Sequence, residues 1–190
     1  KDLPQGVVII SGTNGKTTTT KIVVELLESV GLTVFTNRTG SNFSRGVAAA
    51  LLDEVNLRGK LEADIAVLEL DEAWAVKFVQ MVRPRFSLLL NVMRDQLDRF
   101  GEIDNTALLL QKIAEATTDT VVLNRDDPRI FKISKHIQAK KVFFGTTDEL
   151  LKLMPTDDSL KYGAAIANQS VNVDVLLKKI SGQEATLRID

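Results

Sequence analysis

The segment Gly12-Thr13-Asn14-Gly15-Lys16-Thr17-Thr18 follows the run Val7-Val8-Ile9-Ile10-Ser11 and opens an amphipathic stretch. Glycines at such spacing let backbone N–H groups turn toward an anion, and a following helix adds the partial positive charge of its N-terminus. Lys16 is then placed to reach β- and γ-phosphates, and the Thr17 hydroxyl to hold Mg²⁺. The chemistry implied is binding of a nucleoside triphosphate. The pattern is shortened, because G-x-x-x-x-G-K-[ST] would start where Ile10 stands and the glycine here is Gly12. A ligand-free Gly-Lys-Thr turn is the competing reading. It leaves the strand before and the helix after without a reason.

Elements must position these groups. Residues 7–11 read as a strand. Over residues 18–31, Ile22, Val23, Leu26, Leu27 and Val30 recur at helical spacing, and Gly31 suits the C-terminal cap. Residues 33–36 form a second strand and 37–44 a polar loop. Residues 45–55 form a helix with Val47, Ala48, Leu51, Leu52 and Val55 on one face. A third strand spans 64–70. The helix over 72–82 is stopped by Pro84. Strand 86–91, helix 103–117 and strand 120–124 follow. Asp127-Pro128 starts a helix that runs to about His136, and residues 141–144 make a sixth strand. Apolar runs without alternation imply strands covered on both faces. The repetition of strand and helix implies an α/β fold, a doubly wound and mostly parallel sheet of P-loop type. Residues 1–145 read as the nucleotide-binding domain. Residues 146–190 break the rhythm and read as a small antiparallel appendage, with strand signals at 171–177 and 185–189.

Composition narrows the classes. Hydrophobic residues make up 44% and charged residues 26% of the 190, ordinary for a globular domain, and the net charge of −1 provides no field for nucleic acid. No apolar run reaches membrane-span length and no signal peptide is visible. The chain has no cysteine, which excludes a disulfide framework, a cysteine zinc site and a cysteine nucleophile within it. A cytoplasmic location is the expectation. The one histidine, His136, lies in a polar segment and reads as a surface residue. The chain opens on its first strand and stops in a strand, as an excised domain would.

Open α/β sheets bind ligands beyond the carboxyl ends of their strands. Those ends carry Asn37-Arg38-Thr39-Gly40-Ser41-Asn42, Glu69-Leu70-Asp71-Glu72, Asn91 with Arg94-Asp95-Gln96-Leu97-Asp98-Arg99 behind it, and Asn124-Arg125-Asp126-Asp127. Glu69 ends an apolar run, where a carboxylate is costly unless a cation meets it. Mg²⁺ is the natural partner; the alternative is a side chain that reaches solvent. Glu72 is read as a cap of the following helix. The Arg94–Arg99 charges serve either a site or a solvated ion-pair cluster. Turn and capping chemistry accounts for Asn124, Asp126 and Asp127 about as well as a site does.

Taken together, these residues resemble the Mur ligase family. The Gly12–Thr18 segment is similar to the family's P-loop, Glu69 to its metal-binding glutamate, and Asn91-Val92-Met93-Arg94-Asp95-Gln96-Leu97-Asp98 to its N-x-x-x-D-H-L-D segment, with Gln96 in place of a metal-binding histidine. Asn37–Asn42, Glu69-Leu70-Asp71-Glu72-Ala73-Trp74 and Arg94–Glu102 resemble the family's MurT branch, over about residues 6–145. That resemblance implies a reaction. ATP activates the D-glutamate α-carboxylate of lipid II as an acyl phosphate, and ammonia from a glutaminase subunit of GatD type converts it to D-isoglutamine. It also implies roles. Gly12, Thr13, Asn14, Gly15, Lys16, Thr17 and Thr18 would hold the nucleotide, with Lys16 and Glu69 catalytic. Thr17, Glu69 and Gln96 would face Mg²⁺, and Asn42, Arg94 and Asp95 the substrate.

The sequence departs from the branch in two ways. Residues 146–190 lack the four-cysteine zinc ribbon seen in many relatives, so no zinc is expected. Leu108-Leu109-Leu110 stands where other Mur ligases carry a carbamylated lysine, and Lys112 is out of register. The adenine-contacting asparagine segment and the C-terminal domain of the family would lie beyond Asp190, so catalysis by these residues alone is not expected. The rival expectations are an amino-acid-adding Mur ligase or folylpolyglutamate synthetase, and a nucleotide-binding regulatory module.

Overall fold

A computed structural model describes residues 3–37, 44–93, 102–154 and 171–190. Among them eight strands form one sheet in the order β2-β3-β1-β4-β5-β6-β7-β8. The chain runs β1 (Val7–Ser11), α1 (Lys16–Ser29), β2 (Val34–Thr36), α2 (Ser44–Glu54), β3 (Ile65–Glu69), α3 (Glu72–Met81), β4 (Phe86–Leu89), α4 (Glu102–Ala116) and β5 (Thr120–Asn124). It continues through α5 (Pro128–Ile133), a 3₁₀ turn Ser134–His136, β6 (Lys140–Thr146), α6 (Asp148–Leu153), β7 (Val175–Ser181) and β8 (Glu184–Ile189). Every pairing from β2 to β7 is parallel and β7–β8 is antiparallel.

Parallel pairs need crossovers, which the helices provide. The two faces are read off alternate residues of the central strands. Ile10, Val67 and Val34 pack with Val24 of α1 on one face. Ile9, Leu68 and Phe35 pack on the other with Ala75 and Val79 of α3, Leu110 and Ile113 of α4, and Ile130 of α5. All five residues of β3 are buried, so its unbroken apolar run has the cause expected, cover on both sides. The chain leaves β1 for β2 on one side and returns from β3 to β4 on the other. The crevice this opens lies at the carboxyl end of β1.

The structure corrects several local expectations. α6, with Leu150 and Leu151 buried, adds a helix to the segment read as a small antiparallel appendage. A six-residue helix holds too few periodic positions to stand out. The helix starting at Pro128 narrows to a 3₁₀ turn after Ile133. The antiparallel pair is present, but its strands are Val175–Ser181 and Glu184–Ile189, with Gly182 at φ 61° in the turn. β7 also lies parallel beside β6, with Gly145 opposite Leu176, so the sheet runs on into the hairpin. Asp71, not Glu72, caps α3. Its backbone is extended and its carboxylate accepts the Ala73 N–H at 3.1 Å, whereas Glu72 already lies within the first turn.

Candidate functional site

Gly12 and Gly15 have φ of 137° and 84°, backbone that L side chains rarely adopt. A Cβ on Gly12 would stand 3.0 Å from both the N and O of Asn91, so the loop presses against the segment following β4. That contact is stitched by side chains. Asn91 Oδ1 accepts the Asn14 N–H at 2.9 Å, and Asn91 Nδ2 donates to the Asn14 carbonyl at 3.0 Å. The Thr13 hydroxyl accepts the Met93 N–H at 3.0 Å. Thr13 through its hydroxyl and Asn14 through its backbone thus tie the loop to the segment that follows β4.

Gly15 is the N-cap of α1 and has no side chain to satisfy the first-turn N–H groups. Lys16 Nζ bends back over the loop to donate to the carbonyls of Gly12 and Thr13 at 2.6 and 3.1 Å. An ammonium across a loop mouth beside uncapped helix N–H groups has the charge and donors that a phosphate needs. One residue on, the Thr17 hydroxyl donates to Glu69 Oε1 at 2.7 Å. Glu69 is 5% exposed. Hydroxyl and carboxylate oxygens together are a donor set suited to Mg²⁺, so the residues present fit that ion.

Asn37 plays a part that sequence reading missed. It is buried just past β2, its Nδ2 donates to the Glu69 carbonyl at 2.7 Å, and its Oδ1 accepts the Glu69 N–H at 2.9 Å. The amide side chain continues the β2–β3 ladder by one step and fixes the backbone that aims Glu69. The signal available was an amide residue at the end of an apolar strand. Glu72 belongs to the same neighbourhood. Burial raises its carboxyl above the ordinary glutamate range, against the opposing pull of the Lys16 charge.

On the other side of the loop, a cavity of about 370 Å³ lies beyond β4, β5 and β6, lined by residues that include Asn91, Met93, Asn124, Pro128, Phe144 and Met154. Its walls are set by hydrogen bonds. Asn124 Nδ2 donates to the Leu90 carbonyl at 2.9 Å. Asp127 Oδ2 accepts the Val92 N–H at 2.7 Å, while its Oδ1 accepts those of Arg129 and Ile130. Asp127 therefore caps α5 and anchors the segment that carries Asn91. Burial raises its carboxyl, and the N–H donors of Val92, Ile130 and Arg129 oppose the shift. Asp126 is paired with Arg125 at 2.8 Å and accepts the Thr146 N–H at 2.6 Å, tying β5 to β6.

The structure brings Gly12, Thr13, Asn14, Gly15, Lys16, Thr17, Thr18 and Glu69 together. Asn42, Arg94, Asp95 and Gln96 lie outside the described residues. No helix among the described residues is long and apolar enough to cross a membrane.

A P-loop at the carboxyl end of β1 in a mostly parallel sheet, with a glutamate from β3 on its threonine, defines a nucleotide-dependent α/β domain. The Mur ligase middle domain family matches residues 10–189, and the chain belongs to that family of ATP-dependent ligases. It is 40% identical over 127 residues to the lipid II isoglutaminyl synthase (glutamine-hydrolyzing) subunit MurT of Streptococcus pneumoniae, covering 66% of this chain and 28% of that protein. It is 34% identical over 153 residues to the UDP-N-acetylmuramoylalanine–D-glutamate ligase of Desulfitobacterium hafniense, covering 79% of this chain and 31% of that protein. The fold also matches the MurF ligase of Thermotoga maritima in complex with ADP, at a TM-score of 0.68 and 21% identity, over 98% of this chain and 39% of that one. The chain spans under a third of the length of these two curated relatives.

Proposed function

We propose that this chain is the ATP-binding domain of a MurT-type amide ligase. In this reading ATP phosphorylates the α-carboxylate of the D-glutamate of lipid II, and ammonia displaces phosphate from the acyl phosphate to leave D-isoglutamine. The observation that carries the phosphoryl-transfer half is the Thr17–Glu69 contact at 2.7 Å beside Lys16. Mg²⁺, when bound there, neutralises charge on the transferring phosphoryl group. Lys16 and the α1 N-terminus hold the phosphates, and Asn37 keeps Glu69 aimed. The cavity beyond β4–β6 receives the nucleoside, with Met93, Phe144 and Met154 offering apolar surface. The 40% identity to MurT favours amidation. The relative's name, one subunit of a glutamine-hydrolyzing synthase, supports a separate glutaminase. Residues 1–145 would form the nucleotide-binding unit and 146–190 an extension of it, in a cytoplasmic enzyme acting on a membrane-borne substrate.

The similarity to D-glutamate-adding ligases, longer in span, supports the second reading, addition of an amino acid. One experiment separates the two. The full-length parent protein is incubated with ATP, lipid II, a glutaminase of GatD type and glutamine, and the lipid product is weighed by mass spectrometry. Conversion of acid to amide, lost in Lys16→Ala, is the expected result. A mass gain equal to an amino-acid residue moves the protein to the second reading. ATP bound but never consumed overturns both.

A further inference from the structure

A second cavity opens on the other side of Glu69. It measures about 390 Å³ and lies between one face of α1 and the ends of β2 and β3. Its floor holds the buried side chains of Thr20, Thr36, Asn37 and Glu69, and its rim the exposed Lys21, Glu25 and Glu28. The floor contains an anomaly. Thr20 is 6% exposed, and its hydroxyl has no hydrogen-bond partner among the described residues. A helical threonine ordinarily returns its hydroxyl to a carbonyl of the preceding turn. Leaving such a group buried and unpaired is costly, which points to a partner that the described residues do not supply.

The surroundings select the chemistry of that partner. The Thr20 hydroxyl and the carboxylates of Glu25, Glu28 and Glu69 make the lining rich in hydrogen-bond acceptors. No cluster of three or more acidic, histidine or cysteine side chains among the described residues is close enough to hold a metal ion. A small monovalent cation with several N–H donors suits this lining better than a divalent ion does. Glu69 joins this cavity to the proposed phosphoryl-transfer centre.

We infer that the cavity floored by Thr20 and Glu69 holds ammonium, the nitrogen donor of the amidation, next to the centre where the acyl phosphate forms. This inference rests on the amidation reading proposed above. The Thr20 hydroxyl accepts one N–H, and the rim carboxylates draw the cation in. One proton leaves past the rim to water, giving ammonia. Attack of ammonia forms the C–N bond and breaks the C–O bond of the acyl phosphate, and the departing phosphate carries off the second proton.

The test uses the full-length protein with ammonium chloride in place of glutamine. Thr20→Val keeps the shape and removes an unpaired hydroxyl, so its melting temperature is expected to be unchanged or higher. Its KM for ammonium is expected to rise roughly three- to tenfold, the equivalent of one hydrogen bond, while its KM for ATP stays put. Glu25→Gln is expected to raise the ammonium KM in the same direction. An ammonium KM unmoved in both variants overturns the inference. A second arm does not depend on turnover. Melting of the wild type is followed in ammonium, potassium, sodium and tetramethylammonium chlorides at one ionic strength. A rise specific to ammonium and lost in Thr20→Val supports the site even if lipid II is never amidated, the result that would sink the amidation reading alone. Equal response to potassium, or no ion-specific response, overturns ammonium as the occupant.

Discussion

In the function proposed, Lys16 serves chemistry rather than folding. Among the described residues its ammonium is hydrogen-bonded to the carbonyls of Gly12 and Thr13, and Lys16→Ala puts a good helix former at the start of α1. The expected outcome is a melting temperature within a degree or two of wild type and a fall of at least about 100-fold in kcat/KM for ATP, the scale of losing one charged donor to the transferring phosphoryl group. Steady-state ATP consumption by the full-length protein checks it. Glu69→Gln makes a finer distinction. The amide oxygen can still accept from Thr17, but the negative charge is gone. Nucleotide binding without metal should survive, while the Mg²⁺ concentration for half-maximal turnover should rise at least about tenfold. Gly12 is the opposite case. At φ 137° and with Asn91 N and O 3.0 Å from any Cβ, Gly12→Ala strains the loop and pushes Asn91 away. A loss of roughly 1–3 kcal/mol in urea unfolding is expected, together with loss of nucleotide binding.

At the level of elements, the site depends on polar side chains that finish strands. Asn37 replaces a backbone step between β2 and β3, and Asp127 joins the end of β4 to the start of α5. Asn37→Ala leaves the buried N–H and C=O of Glu69 unpaired and should cost about 1–3 kcal/mol, measured by denaturant unfolding. For Asp127 the sign of the pH effect follows from its raised carboxyl. The folded protein holds that proton more tightly than the unfolded chain does. The stability it contributes is therefore complete at acid pH and is lost as pH rises from about 4 through the folded value. Compared by urea midpoints, the deficit of Asp127→Asn against wild type should be largest at acid pH and shrink as pH rises. These couplings explain what the sequence made legible. The glycine-lysine-threonine loop, the buried carboxylate of Glu69 and the strand–helix alternation are local patterns, and each can be read from adjacent residues. The Asn37–Glu69 and Asp127–Val92 pairs span 32 and 35 positions. Nothing near either residue announces its partner. The β6–β7 pairing was hidden in the same way, because parallel neighbours share no turn that would mark them.

For the molecule as a whole, the question is which half of a ligase the chain contains. Its sheet is covered on both faces around β1 and β3, and the phosphate loop is fixed to β4 by Asn91. The groups proposed to meet phosphate and Mg²⁺ are thus held in place by contacts within the described residues. The acceptor is different, since the chain covers only 28–31% of the curated relatives named above. Rate acceleration requires both reactants to be held in one geometry. Binding and turnover should therefore separate. The 190-residue chain is expected to bind ADP with Mg²⁺ and to consume ATP far more slowly than its full-length parent. At a ligand concentration 100 times the Kd, binding adds about 2.7 kcal/mol to stability, and for a domain of this size that raises the melting temperature by roughly 5–10 °C. Thermal unfolding with and without ADP and Mg²⁺ checks the first half. Thr17→Val should abolish the part of the rise that depends on Mg²⁺ while the chain stays folded. A chain that melts at the same temperature with and without nucleotide would show that the loop needs elements outside residues 1–190 to bind, and the self-contained phosphate site argued from Asn91 and Glu69 would be wrong.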